Sequence, residues 1–158
     1  MGPAPAQGFV HAYARRKSAL EWSEVDVFDL SPEAYGSFDT VLFLGVLYHL
    51  KDPLGGLAKA AAMTRETLVV ETHVALLGLE EPAMRFYLGD ELVGDPTNYW
   101  GPNPACLRNM LLEVGFARVE LTPHPSHPKL LHKPSGWRRL RRPRPRDTIG
   151  RLFAHAAR

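Results

Sequence analysis

Apolar and polar positions divide the chain into short strands and helices. Residues 38–45 (FDTVLFLG) are apolar from Val41 onward, which is typical of a strand buried on both faces of a parallel sheet. The run TLVVET at 67–72 predicts a second short strand. Residues 21–28 (EWSEVDVF) alternate and are rich in β-forming side chains, so they predict a further strand.

Helical patterns occupy the segments between these strands. Residues 9–20 have the spacing of a short amphipathic helix. Three more helices are predicted where a capping side chain precedes a proline, beginning at 31–32 and spanning about 52–63 and 103–114. Because strands and helices alternate, we expect an α/β fold with right-handed crossovers.

The second half of the chain is less regular. Residues 78–104 are rich in Gly and Pro, and we expect a long loop or lid with one short helix near 82–87. Strands are predicted at 116–121 and at 148–156. The Pro-rich, basic stretch at 122–147 resists regular structure and is expected to form a loop of a single domain spanning 1–158.

The apolar strand at 38–45 ends in a glycine that is followed by Tyr48 and His49. In open parallel sheets, ligands bind beyond the carboxyl ends of the strands. Glycine lets a ligand approach the backbone closely, since it has no Cβ. We therefore expect the segment from Gly45 to His49 to form one wall of a ligand pocket.

Composition narrows the class of protein. The chain has 158 residues and a net charge of +2, enough for one domain with a core. Cys106 is the single cysteine, which fits a reducing compartment. No apolar run approaches the roughly 20 residues that span a bilayer, and residues 1–9 lack the pattern of a secretory signal. We expect a cytoplasmic protein without membrane contact.

Positive charge is concentrated in one place. From Lys133 to Arg146 there are seven Lys or Arg residues and no acid. This stretch could contact RNA phosphates, with Trp137 stacking on a base. The alternative is a solvated basic loop, which one basic run with a single aromatic residue favours.

Three motifs in order resemble one enzyme family. They are FDTVLFLGVLYHLKDPLGGL, LVVETHV and NYWGPNPACLRNMLLEVGF. They are similar to class I S-adenosylmethionine-dependent methyltransferases, in particular to the group that includes the tRNA wobble-uridine carboxymethyl-transferring enzyme. The resemblance covers about residues 9–121. It implies a seven-stranded Rossmann-like sheet, S-adenosylmethionine or a carboxylated form of it as cofactor, and methyl transfer to a small molecule, a sugar or tRNA.

The resemblance also implies residue roles. Asp26 and Val27 match the positions that meet the adenine amino group and ring. Leu44, Gly45 and Tyr48 match the segment that lines the methionine side of the cofactor.

In the group of the wobble-uridine enzyme, a Tyr and an Arg hold the extra carboxylate of the carboxylated cofactor. Tyr48 matches that Tyr. Arg151, at the start of the last predicted strand, is similar in position to that Arg. Arginine suits the role because it binds carboxylates bidentately.

Further polar and aromatic residues are candidates for substrate contact or catalysis. His49 could be a general base or a structural histidine bonded to backbone. Tyr99 and Trp100 could line a substrate pocket, or anchor a loop on the core. Glu71 and His73 lie two apart at a strand end and could form a polar pair at the rim of the active site. No metal site is expected, since no third ligand has suitable spacing.

One diagnostic element of the family is missing from the sequence. No G-x-G-x-G loop is present, nor the acid that ends the second strand. We therefore expect a partial sheet that lacks the first two strands, which would leave residues 40–45 as an exposed edge. Residues 23–28 could pair with that edge, or another chain, such as a second copy, could cover it. The alternative to an active methyltransferase is an inactive truncated domain that acts, if at all, through a partner chain.

Overall fold

A computed structural model describes residues 7–17, 19–126 and 150–158. The strands are β1 Phe38–Leu44, β2 Thr64–Val74, β3 Met84–Phe86, β4 Trp100–Pro102, β5 Arg118–Pro123 and β6 Gly150–Ala157. The helices are α1 Gln7–Arg16, α2 Pro32–Tyr35, α3 Pro53–Ala62 and α4 Pro104–Glu113. Two short 3-10 helices lie at Val27–Asp29 and Leu47–His49. None of the helices in these ranges is long and apolar enough to cross a bilayer.

Four of the strands form one mixed sheet in the order β1-β2-β6-β5. β1 and β2 are parallel, with Leu42 opposite Val69, and α3 is the crossover between them. β6 lies antiparallel between β2 and β5. The α/β prediction is thus confirmed, with an antiparallel end to the sheet that the alternation of elements did not reveal.

The core lies on one face of this sheet. Leu57 of α3 and Leu107 of α4 are fully buried against Leu68 and Val70 of β2. Both helices begin as predicted, because a side chain caps their first turn. Asp52 Oδ1 accepts from the backbone N–H of Gly55 at 2.9 Å, and the Asn103 side chain caps α4 in the same way.

The strand predicted at 21–28 is wrong. Its last residues form the 3-10 turn at 27–29, and Asp26 Oδ1 accepts from the N–H of Phe28 at 2.9 Å. This local cap competes with strand pairing, because it satisfies the backbone within the segment itself. Residues 23–28 consequently do not pair with β1, whose strand partner within the described ranges is β2.

The expected burial of β1 on both faces is also wrong. Leu42 is 64% exposed and Leu44 is 47% exposed. Both lie on the face opposite α3 and α4, together with Val69, and we call this the open face. In the described residues no helix covers it. β1 is also an edge strand, because it lies at the end of the strand order, so its open face presents exposed apolar side chains at the edge of the sheet.

The helix predicted near 82–87 is a strand instead. β3 pairs antiparallel with β4, and the Phe86 and Trp100 rings contact each other with centroids 5.0 Å apart. This cross-strand aromatic pair stabilises a hairpin, whereas Pro82 just before β3 removes a backbone donor. The hairpin lies at the end of β2, where Ala75 N donates to Pro102 O at 3.1 Å.

Candidate functional site

The turn after β1 brings the backbone close to two polar side chains. Gly45 has a φ of +70°, and its N–H donates to the carbonyl of Glu71 at 3.1 Å. A Cβ placed on Gly45 would lie 3.7 Å from Tyr48 Oη and 3.9 Å from Glu71 Oε2. Glycine therefore serves two needs here: a left-handed backbone and an open space at the carboxyl end of the strand.

Arg151 connects this turn to β2 and β6. Its Nη1 donates to Glu71 Oε1 at 2.8 Å and its Nη2 donates to Tyr48 Oη at 3.2 Å. The guanidinium carbon lies 5.4 Å from the centre of the Tyr48 ring. The hydrogen bond to Glu71 raises the pKa of Arg151, so the guanidinium stays charged. Sequence reasoning placed Arg151 and Tyr48 in one site, and the structure brings them together.

An open cavity of about 220 Å³ lies beside this cluster. Its wall includes Tyr48, His73, Leu92, Val93, Asn98 and Arg151. Tyr48, His73 and Arg151 come from the end of the sheet. Leu92, Val93 and Asn98 come from the loop between β3 and β4. The segment that the sequence predicted as a long loop or lid therefore contributes to the cavity.

His73 is a buried neutral histidine in this wall. It lies opposite Arg151 on the neighbouring antiparallel strand, and its Nε2 is 2.9 Å from Tyr87 Oη. Burial, reinforced by the charges of Arg151 and Arg85, lowers the pKa of His73 to about 4. Glu71 and His73 point the same way, as the alternation of a strand predicts. They do not form the predicted pair, because each bonds to a different partner.

His49 lies next to the cluster but outside the cavity wall. Its Nδ1 is 2.9 Å from the backbone O of Thr97, and its ring packs on Tyr48 with centroids 4.2 Å apart. A carbonyl oxygen only accepts, so Nδ1 carries the proton. Nε2 then carries a lone pair and has no hydrogen-bond partner in the described part of the chain.

Tyr99 and Trp100 hold the hairpin against the turn after β1. Tyr99 N donates to Tyr48 O at 2.8 Å, and Lys51 Nζ lies 5.8 Å from the Tyr99 ring centre. Trp100 Nε1 donates to Lys51 O at 3.3 Å. Both rings lie near the site without lining the cavity, and their predicted contact with substrate stays a prediction.

The residues predicted to meet the adenine lie apart from the cavity wall. Asp26 is exposed and caps its own 3-10 turn. Val27 packs near α3, because a Cβ on Gly56 would lie 3.8 Å from its Cγ1. Leu44 ends β1 on the open face. Their contact with a cofactor stays a prediction.

Sequence reasoning missed part of the cavity wall. Leu92 and Val93 lie in a Gly-rich loop without hydrophobic periodicity, so no pattern pointed to them. Asn98 directly precedes the candidate residues Tyr99 and Trp100, but no sequence pattern indicates that its side chain is buried. No group of three or more metal-ligating side chains is found among the described residues.

Comparison with known proteins relates the chain to enzymes that use S-adenosylmethionine. No protein-family model matches it. The chain is 37% identical over 90 residues to a tRNA U34 carboxymethyltransferase of Haemophilus influenzae (strain PittEE). This match covers 52% of the chain and 26% of the relative, so the chain spans about a quarter of the length of that curated relative.

Solved structures settle the fold. The N-terminal domain of EvdMO1, crystallised with S-adenosylhomocysteine, matches with a TM-score of 0.60 and 22% identity over 96% of the chain and 59% of that domain. Magnesium protoporphyrin IX methyltransferase from Synechocystis PCC 6803 matches with a TM-score of 0.52 and 17% identity over 94% of the chain and 58% of that enzyme. The chain has a partial methyltransferase fold.

The chain covers only part of these enzymes, which agrees with the small number of strands in its sheet. The methyltransferase sheet is expected to have seven strands, and the described residues supply four of them. β1 lies at the end of this sheet, on the side where the sequence predicts that strands are missing. This is the edge that the structure leaves without a neighbour in the described ranges.

Proposed function

We propose that this chain takes part in S-adenosylmethionine-dependent methyl transfer, with the cofactor beyond the carboxyl ends of β1 and β2. One observation supports the proposal above others. The Gly45 turn, Glu71 of β2 and Arg151 of β6 meet at the place where open α/β sheets bind ligands. The similarity to tRNA U34 carboxymethyltransferase in about half of the chain supports the same chemistry.

The residues present fit one end of such a cofactor. The space beside Gly45 is one that a Cβ would occupy, and it lies against Tyr48 Oη and Glu71 Oε2. Gly45 and Leu44 would line the methionine side, whereas Tyr48 and Arg151 would hold a carboxylate if the carboxylated cofactor is used. Asp26 and the backbone of Val27 would contact the adenine. When bound, the cofactor supplies an electrophilic methyl group.

The chain's own residues would position the acceptor and accept its proton. Transfer by direct displacement depends mainly on in-line positioning of the two reacting atoms. His49 is the candidate base, because the Thr97 carbonyl fixes its Nδ1 as a donor and leaves Nε2 as an acceptor. Tyr99 and Trp100 would form the outer wall of the acceptor site.

The acceptor is a small molecule or a tRNA base. A tRNA acceptor would involve the basic stretch at 138–146, which lies outside the described residues. The location that we propose is the cytoplasm. We treat 1–158 as one methyltransferase domain.

A second function is favoured by two observations. The sequence has no G-x-G-x-G loop, and Leu42 on the edge strand β1 is 64% exposed. Under this alternative the chain is inactive by itself and acts through a partner, a second copy or another chain, that covers the edge at 40–45.

Calorimetric titration of S-adenosylmethionine and S-adenosylhomocysteine into the purified chain separates the two functions. Under the leading proposal, binding is saturable, is lost in Gly45→Val, and weakens in Asp26→Ala. Gly36→Val is the matched control, because Gly36 also has a positive φ but no atom within 4 Å of its Cβ position. If no heat of binding appears with either ligand, the chain does not hold the cofactor alone and the second function stands.

A further inference from the structure

Two buried side chains in the cavity wall have polar atoms that lack a hydrogen-bond partner among the described residues. His73 is 7% exposed and Asn98 is 4% exposed, and both line the cavity. Leaving a buried donor or acceptor unpaired costs about 1–3 kcal/mol. Two such groups around one cavity therefore indicate that something bonds to them there.

The free atom of Asn98 is an acceptor. Its Nδ2 donates to the carbonyl of Leu92 at 3.1 Å, and its backbone N–H donates to Asp95 O at 3.2 Å. Because the Leu92 carbonyl can only accept, the amide orientation is fixed and Oδ1 remains. This oxygen has no hydrogen-bond partner within the described ranges, so its ligand must be a donor.

The free atom of His73 is Nδ1. The other edge of the ring is occupied, since Nε2 contacts Tyr87 Oη at 2.9 Å and a Cβ on Gly101 would lie 3.1 Å from Nε2. Nδ1 has no partner in the part of the chain that the structure describes. Burial lowers the pKa of His73 and keeps the ring neutral, and the charge of Arg151, directly across the strand pair, acts in the same direction. A neutral ring beside two arginines favours an uncharged ligand group over a cation.

Beside Tyr48 and the charged Arg151, the cavity wall has an apolar part formed by Leu92 and Val93. Val93 is 84% exposed at a φ of +52°, a conformation that a β-branched residue rarely adopts. Strained backbone of this kind is often retained at ligand sites. Leu92 lies next to it in the same wall. One side of the ligand thus meets aliphatic carbon while the other meets polar atoms.

We propose that this cavity binds a hydroxylated small molecule of monosaccharide size. One hydroxyl donates to Oδ1 of Asn98 and another bonds to Nδ1 of His73, while a carbon face of the ligand packs on Leu92 and Val93. Hydroxyls suit both atoms because each is a donor and an acceptor. The volume of about 220 Å³ lies below the roughly 300–1,000 Å³ of drug-sized sites, which fits a small ligand. That this ligand is the methyl acceptor rests on the proposed function.

The test observes the His73 ring nitrogens by NMR in ¹⁵N-labelled full-length chain without cofactor. The probes are the 6-deoxyhexoses L-fucose and L-rhamnose, whose hydroxyls match the polar atoms and whose methyl group matches the aliphatic wall. Cyclohexanol, of similar size but with one hydroxyl, is the control. We expect a saturable shift of His73 Nδ1 with at least one sugar, and binding weaker by about three- to tenfold with cyclohexanol.

Two amide variants separate a ligand contact from a structural role. In His73→Asn the amide reaches the position of Nδ1, whereas in His73→Gln it reaches that of Nε2 and can still bond to Tyr87. Because these variants lack the reporter ring, their affinity for the sugars is measured by calorimetry. We expect His73→Asn to keep sugar binding and His73→Gln to lose about three- to tenfold in affinity. Asn98→Leu should lose a similar factor.

If His73→Gln keeps sugar binding and His73→Asn loses it, the proposal is wrong. Equal shifts of the His73 signal with sugar and cyclohexanol also overturn it. So does an unchanged His73 signal up to the solubility limit of both sugars, which would mean that only water bonds to these atoms. Because no cofactor is present, a failure of methyl transfer leaves the result intact. A failure of sugar binding, in turn, leaves the cofactor titration to decide the proposed function.

Discussion

Arg151 reaches diagonally across the sheet to Glu71. Its direct partner across the strand pair is His73, and Glu71 is opposite Phe153, yet the guanidinium bonds to Glu71 Oε1 at 2.8 Å. The diagonal leaves His73 beside the arginine without bonding to it. The same guanidinium also bonds to Tyr48, so one residue of β6 holds together the turn after β1 and the end of β2.

Replacing Arg151 should destabilise the fold more than replacing Glu71, its partner in this ion pair. Arg151→Met leaves the buried Glu71 carboxylate unpaired and should cost about 2 kcal/mol. Glu71→Gln keeps a hydrogen-bond acceptor and should cost about 1 kcal/mol, because the arginine is partly solvated. Urea unfolding measures both. The double variant should cost less than the sum, and strict additivity would contradict direct coupling.

Substitutions at two glycines with positive φ separate an effect on the cofactor site from an effect on backbone strain. Gly45→Ala and Gly36→Ala both force alanine into a positive φ, at +70° and +79°. Each should cost about 1–3 kcal/mol of stability, with Gly36→Ala toward the upper end because its ψ of −175° lies in a region essentially restricted to glycine. Only Gly45→Ala should also weaken binding of S-adenosylhomocysteine in calorimetry, because its methyl enters the space beside Tyr48. Equal binding by the two variants would place the cofactor elsewhere.

Acid should destabilise the chain through His73. Its pKa is about 4 when folded against 6.5 for the ordinary group, so between these values the unfolded chain binds more protons. The contribution to stability is fully present above pH 6.5 and is lost as pH falls toward 4, by at most about 3 kcal/mol. The charged groups that act on the ring are Arg151 and Arg85, and the Tyr87 hydroxyl contacts its Nε2.

Denaturant unfolding at a series of pH values measures this loss. In His73→Gln, which retains a bond to Tyr87, the unfolding free energy should fall less over pH 6.5 to 4 than in the wild type. Parallel curves for the two proteins would assign the acid sensitivity to other groups.

The edge strand β1 should promote association. Leu42→Lys puts a charge on its open face and should reduce concentration-dependent self-association in sedimentation velocity. Leu112→Lys is the control, since Leu112 is an exposed leucine on α4, away from this strand. A wild-type chain that remains monomeric at high concentration would remove the case for a covering second copy.

Sequence patterns predicted the elements whose causes are local. Proline after a capping residue located α3 and α4, and the apolar runs located β1 and β2. The alternation in residues 21–28 predicted a strand that does not form, because alternation does not reveal that Asp26 caps its own turn. The turn from Gly45 to Tyr48 was found because a strand ending in glycine has a physical meaning. The Arg151–Glu71 bond depends on strand order, which short-range patterns do not contain.

The hydrogen bonds of Arg151 join residues 80 and 103 positions apart in the chain. Contacts of such separation form late in folding, since the cost of closing a long loop is met before they contribute. β6 also follows the other five strands along the chain. During translation the ligand site therefore cannot form until β6 has emerged, and any event that detaches β6 dismantles the centre of the sheet and the site in a single step.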